Sequence, residues 1–275
     1  MSNTSDPTSS ILTFLVKDGV ALLTLNRPEA GNSLSPDMLT ALEAAWARVE
    51  ADNDIRVAII TGTGERHFCT GADVSGVEVG KGGLNNVPYA FANRFTPRQW
   101  GVSKPVICVV NGLCNGGGLH FVADCDIVIA RAGASFMDSH VSIGLVSALE
   151  SIGVARKAGV GAALLMGLCG RDYRMTAERA HGLGMIDILE PTAADALARA
   201  HALAAMICAN SPQAVALTKR AIWASTELPD PAALVYGWEL LKSQWSHPDF
   251  EEGPRAFLEK RAPRWNPDPN ADRRG

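Results

Sequence analysis

Apolar residues alternate or run continuously through the first two thirds of the chain and recur at helical spacing in the last third. Residues 11–16 and 20–26 are β-prone runs separated by Asp18-Gly19, a dipeptide that supplies the positive φ of a tight turn, so the chain opens on a hairpin. Ser35-Pro36 then offers an N-cap followed by proline at the first helical position. Met38, Leu39, Leu42, Trp46 and Val49 fall on one face of the helix that follows. The runs at 57–61, 105–110 and 126–130 predict strands covered on both sides, and helical stretches between them predict an α/β fold with crossover connections. Glycines and asparagines make 77–88 too permissive to be rigid, which predicts a mobile flap. Beyond about residue 190 strands give way to helices opened by Thr192, Ser211-Pro212 and Pro231. The predicted organisation is a disordered leader over 1–10, an α/β core over 11–200, a helical region over 201–265 and a disordered tail over 266–275.

The 275 residues, 47% apolar, suffice for a substantial core. A net charge of −4 removes the electrostatic footprint of a nucleic-acid binder. The longest apolar stretch, 158–170, is shorter than the roughly 18 residues of a bilayer span, and the leader lacks the basic and apolar regions of a signal peptide. A cytoplasmic protein without a membrane anchor is expected. Six cysteines include no C-x-x-C pair, so neither zinc nor disulfides are expected. No histidine pairs in sequence with Cys69 or Cys114, which favours apolar packing over a catalytic thiol.

Chemistry concentrates in residues 104–130, KPVICVVNGLCNGGGLHFVADCDIVIA, where a buried strand runs into Asn115-Gly116-Gly117-Gly118 and a short apolar helix. Glycines at such a junction leave backbone N–H groups free of Cβ obstruction, and a helix start favours an oxyanion. No Gly-Lys-Ser/Thr follows, which excludes a Walker loop. A second loop, after 57–61, ends at Gly71-Ala72-Asp73. One donor from each loop makes an oxyanion hole.

These segments, in order, resemble the crotonase superfamily, the enoyl-CoA hydratase/isomerase family. The resemblance is carried by Leu25-Asn26-Arg27-Pro28-Glu29 with Asn32-Ser33-Leu34, Gly71-Ala72-Asp73, Val110-Asn111-Gly112 with the glycine triplet, Cys125-Asp126-Ile127, TAERAHGLGMI over 176–186 and the stretch Glu252 to Arg261. It implies a spiral of ββα units with a helical C-terminal region, assembly as a homotrimer or a dimer of trimers, and an acyl-CoA thioester substrate. Coenzyme A is then part of the substrate, with no separate cofactor and no metal. The resemblance places the two oxyanion donors at the Ala72 and Gly117 amides. It sets Thr70, Asp73, Val74 and Ser75 along the adenine and pantetheine, and brings Phe257 and Lys260 to CoA from a neighbouring subunit. Three residues apart, that last pair is expected on one helix face.

The sequence departs from the family's hydratases where they carry two glutamates. The first position is His120 and the second His140. Two imidazoles bring less negative charge and titrate near 6.5, so the pair does not predict ordinary syn-hydration. Glu150, in an apolar segment, is positioned either to orient a histidine or to sit as a helix N-terminal charge, and Asp138 is a second candidate to orient His140. His67, His181, His201 and His247 are expected at the surface. The leading expectation is a lyase or isomerase that stabilises a thioester enolate, with His120 and His140 moving protons or water. Retro-Claisen cleavage of a β-diketone and a catalytically silent binding scaffold are the alternatives.

Overall fold

The computed structural model describes residues 10–73 and 94–272. The leader up to residue 9, the expected flap at 77–88, Val74, Ser75 and residues 273–275 lie outside the described residues. Strands β1 (Leu12–Lys17) and β2 (Val20–Leu25) pair antiparallel around Asp18 at φ 50° and Gly19 at φ 79°. Positive φ at both central residues is the turn that matches strand twist. Helix α1 (Pro36–Ala51) starts where predicted, with Ser35 Oγ accepting from Met38 N–H, and buries Met38, Leu42, Trp46 and Val49.

A spiral then repeats strand, short strand, helix. Strand β3 (Val57–Gly62) is followed by β4 (His67–Cys69) and, after the undescribed stretch, α2 (Pro97–Trp100). Strand β5 (Val106–Val110) is followed by β6 (Leu113–Asn115) and α3 (Leu119–Asp124); β7 (Ile127–Arg131) by β8 (Ser135–Met137), α4 (Leu149–Ala158) and α5 (Val160–Cys169). Strand β9 (Met175–Thr176), α6 (Ala177–Gly182) and β10 (Ile188–Glu190) close the spiral. The long strands form one sheet in the order β1-β2-β3-β5-β7-β10, and the short ones a second in the order β4-β6-β8-β9. Each turn therefore delivers one strand to each sheet, and the loops at the ends of the short strands gather at one place.

The continuous apolar strands bury both faces. Ala58, Ile60, Cys108 and Val110 join the main core with Trp46, Phe68 and Phe121. Their alternates, Val57, Ile59, Ile107 and Val109, meet Ala196, Ala200 and Ala204 of α7 (Ala193–Cys208). An alanine every fourth residue leaves a flat stripe on which a helix approaches a sheet closely. Helix α7 thus belongs to the core, and the boundary expected after residue 200 falls inside it.

Helices α8 (Pro212–Ala224), α9 (Asp230–Gln244) and α10 (Asp249–Leu258) complete the chain. His247 is fully buried rather than at the surface: its Nδ1 accepts from Asp249 N–H, leaving Nε2 to donate to the Asp268 carbonyl at 3.0 Å. Asn266 N–H donates to Asp249 Oδ1 at 2.8 Å, and Trp265 Nε1 to the Ala209 carbonyl. Residues 266–272 are therefore held against the helices, contrary to the expected disorder, because backbone groups of a polar tail found buried partners. All six cysteines are free. No helix among the described residues is long and apolar enough to cross a membrane.

Candidate active site

The two glycine loops meet. Leu34 N–H donates to the Gly71 carbonyl at 2.8 Å and Asp73 N–H to the Leu34 carbonyl at 3.1 Å, a parallel bridge across Ala72. In a parallel ladder the residue between two such bonds turns its own N–H to the other side. The Ala72 amide has no acceptor among the described residues, and that side is where Gly117 stands. A Cβ built on Gly117 would lie 3.6 Å from Ala72 N, and one on Gly71 would lie 2.9 Å from Gly117 N. Gly117 is the middle residue of a 3₁₀ turn over Gly116–Gly118, whose opening N–H groups have no acceptor within the turn. Ala72 is exposed and Gly117 half-buried, so both donors border open space.

The approach is held by the side chains of Asn115, Arg27 and Asp73. Asn115 Nδ2 donates to the Thr70 carbonyl and to Ser139 Oγ, tying the Gly71 loop, the glycine triplet and the loop after β8 together. Arg27 pairs with Asp73 at 2.9 Å and donates to the Ser33 carbonyl, fixing the strand that brackets Ala72. Thr70 N–H donates to the Gly31 carbonyl at 3.1 Å. Thr70 and Asp73 thus flank Gly71 and Ala72.

His120, His140 and Glu150 converge on one cluster. His120, on α3, is buried and packs edge-on against Phe95, ring centroids 5.5 Å apart. Its Nε2 lies 3.7 Å from Glu150 Oε2, too long for a hydrogen bond. His140 sits in the turn after β8, its Cε1 3.3 Å from where a Gly116 Cβ would stand, one residue before the Gly117 donor. Its Nδ1 lies 2.8 Å from Asp138 Oδ1 and 3.1 Å from Glu150 Oε1, and its backbone N–H also donates to Asp138. A proton on Nδ1 satisfies both carboxylates, which leaves the lone pair on Nε2. Glu150 occupies the first turn of α4, where backbone N–H groups support its charge.

Burial and charge divide the cluster. Burial, with the nearby His140 charge, lowers the His120 pKa to about 4 and keeps that ring neutral. The hydrogen bond to Asp138 raises the His140 pKa against the effect of burial, and Glu150 adds to the rise. Burial pushes Glu150 up. Asp138 would also rise on burial, but hydrogen bonds from His140 and Ser147 hold it down. Asp138, His140 and Glu150 are the described residues whose ligand atoms could hold an ion, all within 4.8 Å of one another. In this structure Nδ1 is engaged by both carboxylates. Cys69 and Cys114 beside the hole are fully buried, and burial raises the Cys69 thiol to about 12, so neither supplies a thiolate.

Phe257 and Lys260 stand apart from this cluster. Phe257 is 84% exposed on α10, whereas Lys260 lies beyond the helix end at φ 53°. Arg261 N–H donates to the Ala256 carbonyl and Lys260 N–H to the Phe257 carbonyl, the paired bonds of a Schellman ending. The expectation of a shared helix face therefore fails, because the helix stops before Lys260. His181 and His201 are exposed and His67 half-buried.

A spiral of paired strands on which two glycine loops meet is a crotonase fold. The sequence matches the enoyl-CoA hydratase/isomerase family over residues 16–268, and the chain belongs to that family. It is 34% identical over 258 residues to (E)-benzylidenesuccinyl-CoA hydratase of Thauera aromatica, covering 92% of this chain and 97% of that protein. It is 35% identical over 265 residues to mevalonyl-coenzyme A hydratase sidH of Aspergillus fumigatus, covering 90% and 92%. A crystal structure of an enoyl-CoA hydratase/isomerase from Mycobacterium paratuberculosis superposes with a TM-score of 0.86 at 38% identity, covering 95% of this chain and all of the other.

Proposed function

We propose that this protein transforms an acyl-CoA thioester through an enolate, with His140 as the proton-transfer group. The observation that carries the reading is the His140 ring, braced by Asp138 and Glu150 on Nδ1 and set beside the Gly117 donor. With the thioester oxygen accepting from Ala72 and Gly117 N–H, Nε2 removes the α-proton and the C–H electron pair moves onto the carbonyl. Return of a proton to a different carbon completes an isomerisation. Expulsion of hydroxide from the β-carbon, protonated as it leaves, completes a dehydration, and the reverse is hydration. Addition and elimination need a second group, and Glu150 and the neutral His120, 3.7 Å apart and next to His140, are the candidates. The relatives' names, two CoA hydratases, support the addition–elimination branch.

A second reading is favoured by the same bracing. An imidazole held by a carboxylate also activates water against a carbonyl, the first step of retro-Claisen cleavage of a β-diketone. Assembly as a trimer or a dimer of trimers, with Phe257 and Lys260 reaching CoA bound to a neighbour, belongs to the proposal and is supported by the exposed end of α10. A cytoplasmic location belongs to it as well. The test is deuterium uptake at the α-carbon of a saturated acyl-CoA in heavy water, followed by mass spectrometry. Exchange that collapses in His140→Ala supports the reading. Turnover of a cyclic diketone without exchange supports the second, and tight CoA binding with neither reaction leaves a silent scaffold.

A further inference from the structure

Ser147 stands in the irregular segment before α4, next to the N-cap residue Ala148, yet it caps nothing: that helix start has no side-chain cap. Its hydroxyl is spent elsewhere, on Asp138 Oδ2, and it also contacts Ser151 Oγ. The directions of these protons follow from chemistry. A carboxylate accepts only, so Ser147 donates to Asp138; its single proton is then used, and Ser151 must donate to Ser147. The other oxygen of Asp138 accepts from the backbone N–H and ring Nδ1 of His140. Ser151, Ser147, Asp138 and His140 thus form one polarised chain, each bond directing its hydrogen toward the buried Asp138 carboxylate, which is 1% exposed.

We propose that Ser147 is a positioning residue that sets the basicity of His140 through Asp138. The inference rests on the reading of His140 as the proton-transfer group. The hydroxyl dipole turns its positive end toward Asp138 and so opposes a positive charge on the ring beyond. Without it the carboxylate keeps more of its charge for the imidazolium, and His140 holds its proton more tightly. The other titratable groups that face His140 are Glu150 on α4 and His120 on α3, and neither bonds to Ser147. Asp138 is indeed held below the ordinary carboxylate range, with the Ser147 bond among the causes that lower it.

The test titrates the His140 ring by nitrogen-detected NMR in the substrate-free full-length protein. Ser147→Ala is expected to raise its pKa by roughly half a pH unit, about threefold in proton affinity. Ser147→Thr, which keeps the hydroxyl, is expected to return it to the wild-type value. Ser151→Ala, one bond farther along the chain, is expected to give a smaller shift in the same direction and serves if Ser147→Ala does not fold. A ring that titrates unchanged, or lower, in a folded Ser147→Ala or Ser151→Ala protein overturns the proposal. So does a Ser147→Thr protein that behaves like alanine. The acid limb of kcat/KM is recorded alongside. A limb that fails to follow a shifted ring pKa counts against His140 as the base, and the effect of Ser147 on the ring still stands.

Discussion

Gly71 brings the two donor loops within touching distance, and alanine in its place separates them. A methyl there would lie 2.9 Å from Gly117 N and 3.0 Å from the Asn115 carbonyl oxygen, both backbone atoms that cannot rotate aside. The loops must part by several tenths of an ångström, and an oxygen bound between them then reaches only one amide well. Loss of one oxyanion donor removes about 3–4 kcal/mol of transition-state stabilisation, or roughly 100- to 1,000-fold in kcat. The φ of +89° adds a backbone cost of about 1–2 kcal/mol for any L residue. Gly101→Ala separates the two effects: φ there is +99°, but no atom lies within 4 Å of the added methyl. Both variants should melt a few degrees below wild type, while only Gly71→Ala loses kcat in the acyl-CoA exchange assay. A Gly71→Ala enzyme within about threefold of the Gly101→Ala enzyme would refute the two-donor hole.

Other consequences are open to measurement. His120 has a folded-state pKa of about 4 against 6.5 unfolded, so the unfolded chain binds more protons in that window and stability falls as pH drops through it. At about 1.4 kcal/mol per pH unit the loss approaches 3 kcal/mol by pH 4, and denaturant titrations should show the slope flattened in His120→Leu. An acid slope retained in that variant would mean the ring is charged in the fold. The pKa of His140 is raised in the fold, so its contribution runs the other way, present below 6.5 and lost as pH rises through the folded value. Asp138→Asn should lower kcat between about 100- and 10,000-fold by freeing the wrong tautomer, with the acid limb moved to lower pH. Activity near wild type would transfer the orienting role to Glu150. Lys260→Gly should raise the melting temperature by relieving about 1 kcal/mol of left-handed strain, and should raise KM for CoA thioesters more than for pantetheine thioesters. Equal KM changes for both would remove Lys260 from the nucleotide end of the substrate.

The long elements were legible because each satisfies a local rule. The Asp18-Gly19 turn, the Ser35 cap and the two-sided strands β3, β5 and β7 follow from dihedral preference and burial pattern alone. Strands β4, β6 and β8 were not: three residues carry no alternation, and their pairing joins loops dozens of positions apart. The meeting of the two loops was legible from their glycines, since close backbone approach excludes a side chain. Convergence of His120, His140 and Glu150 was suggested by position, but not the partition of their protons, which depends on burial that sequence spacing does not state. Ser147 and Asn115 were missed because a serine before a helix and an asparagine before glycines normally serve the helix cap or the turn itself. His247 and the end of the chain were misread because polar composition signalled exposure, whereas His247 pairs with the Asp268 carbonyl and Asp249 N–H, and Asn266 with Asp249.

In the proposed mechanism the amides of Ala72 and Gly117 together polarise one thioester carbonyl. Infrared difference spectroscopy of a bound, unreactive acyl-CoA isotopically labelled at that carbonyl reads the polarisation directly. The carbonyl stretch is expected to move well to lower frequency in the wild-type protein and to be largely restored in Gly71→Ala. A stretch at its solution frequency in the wild-type complex, with the ligand demonstrably bound, would contradict it.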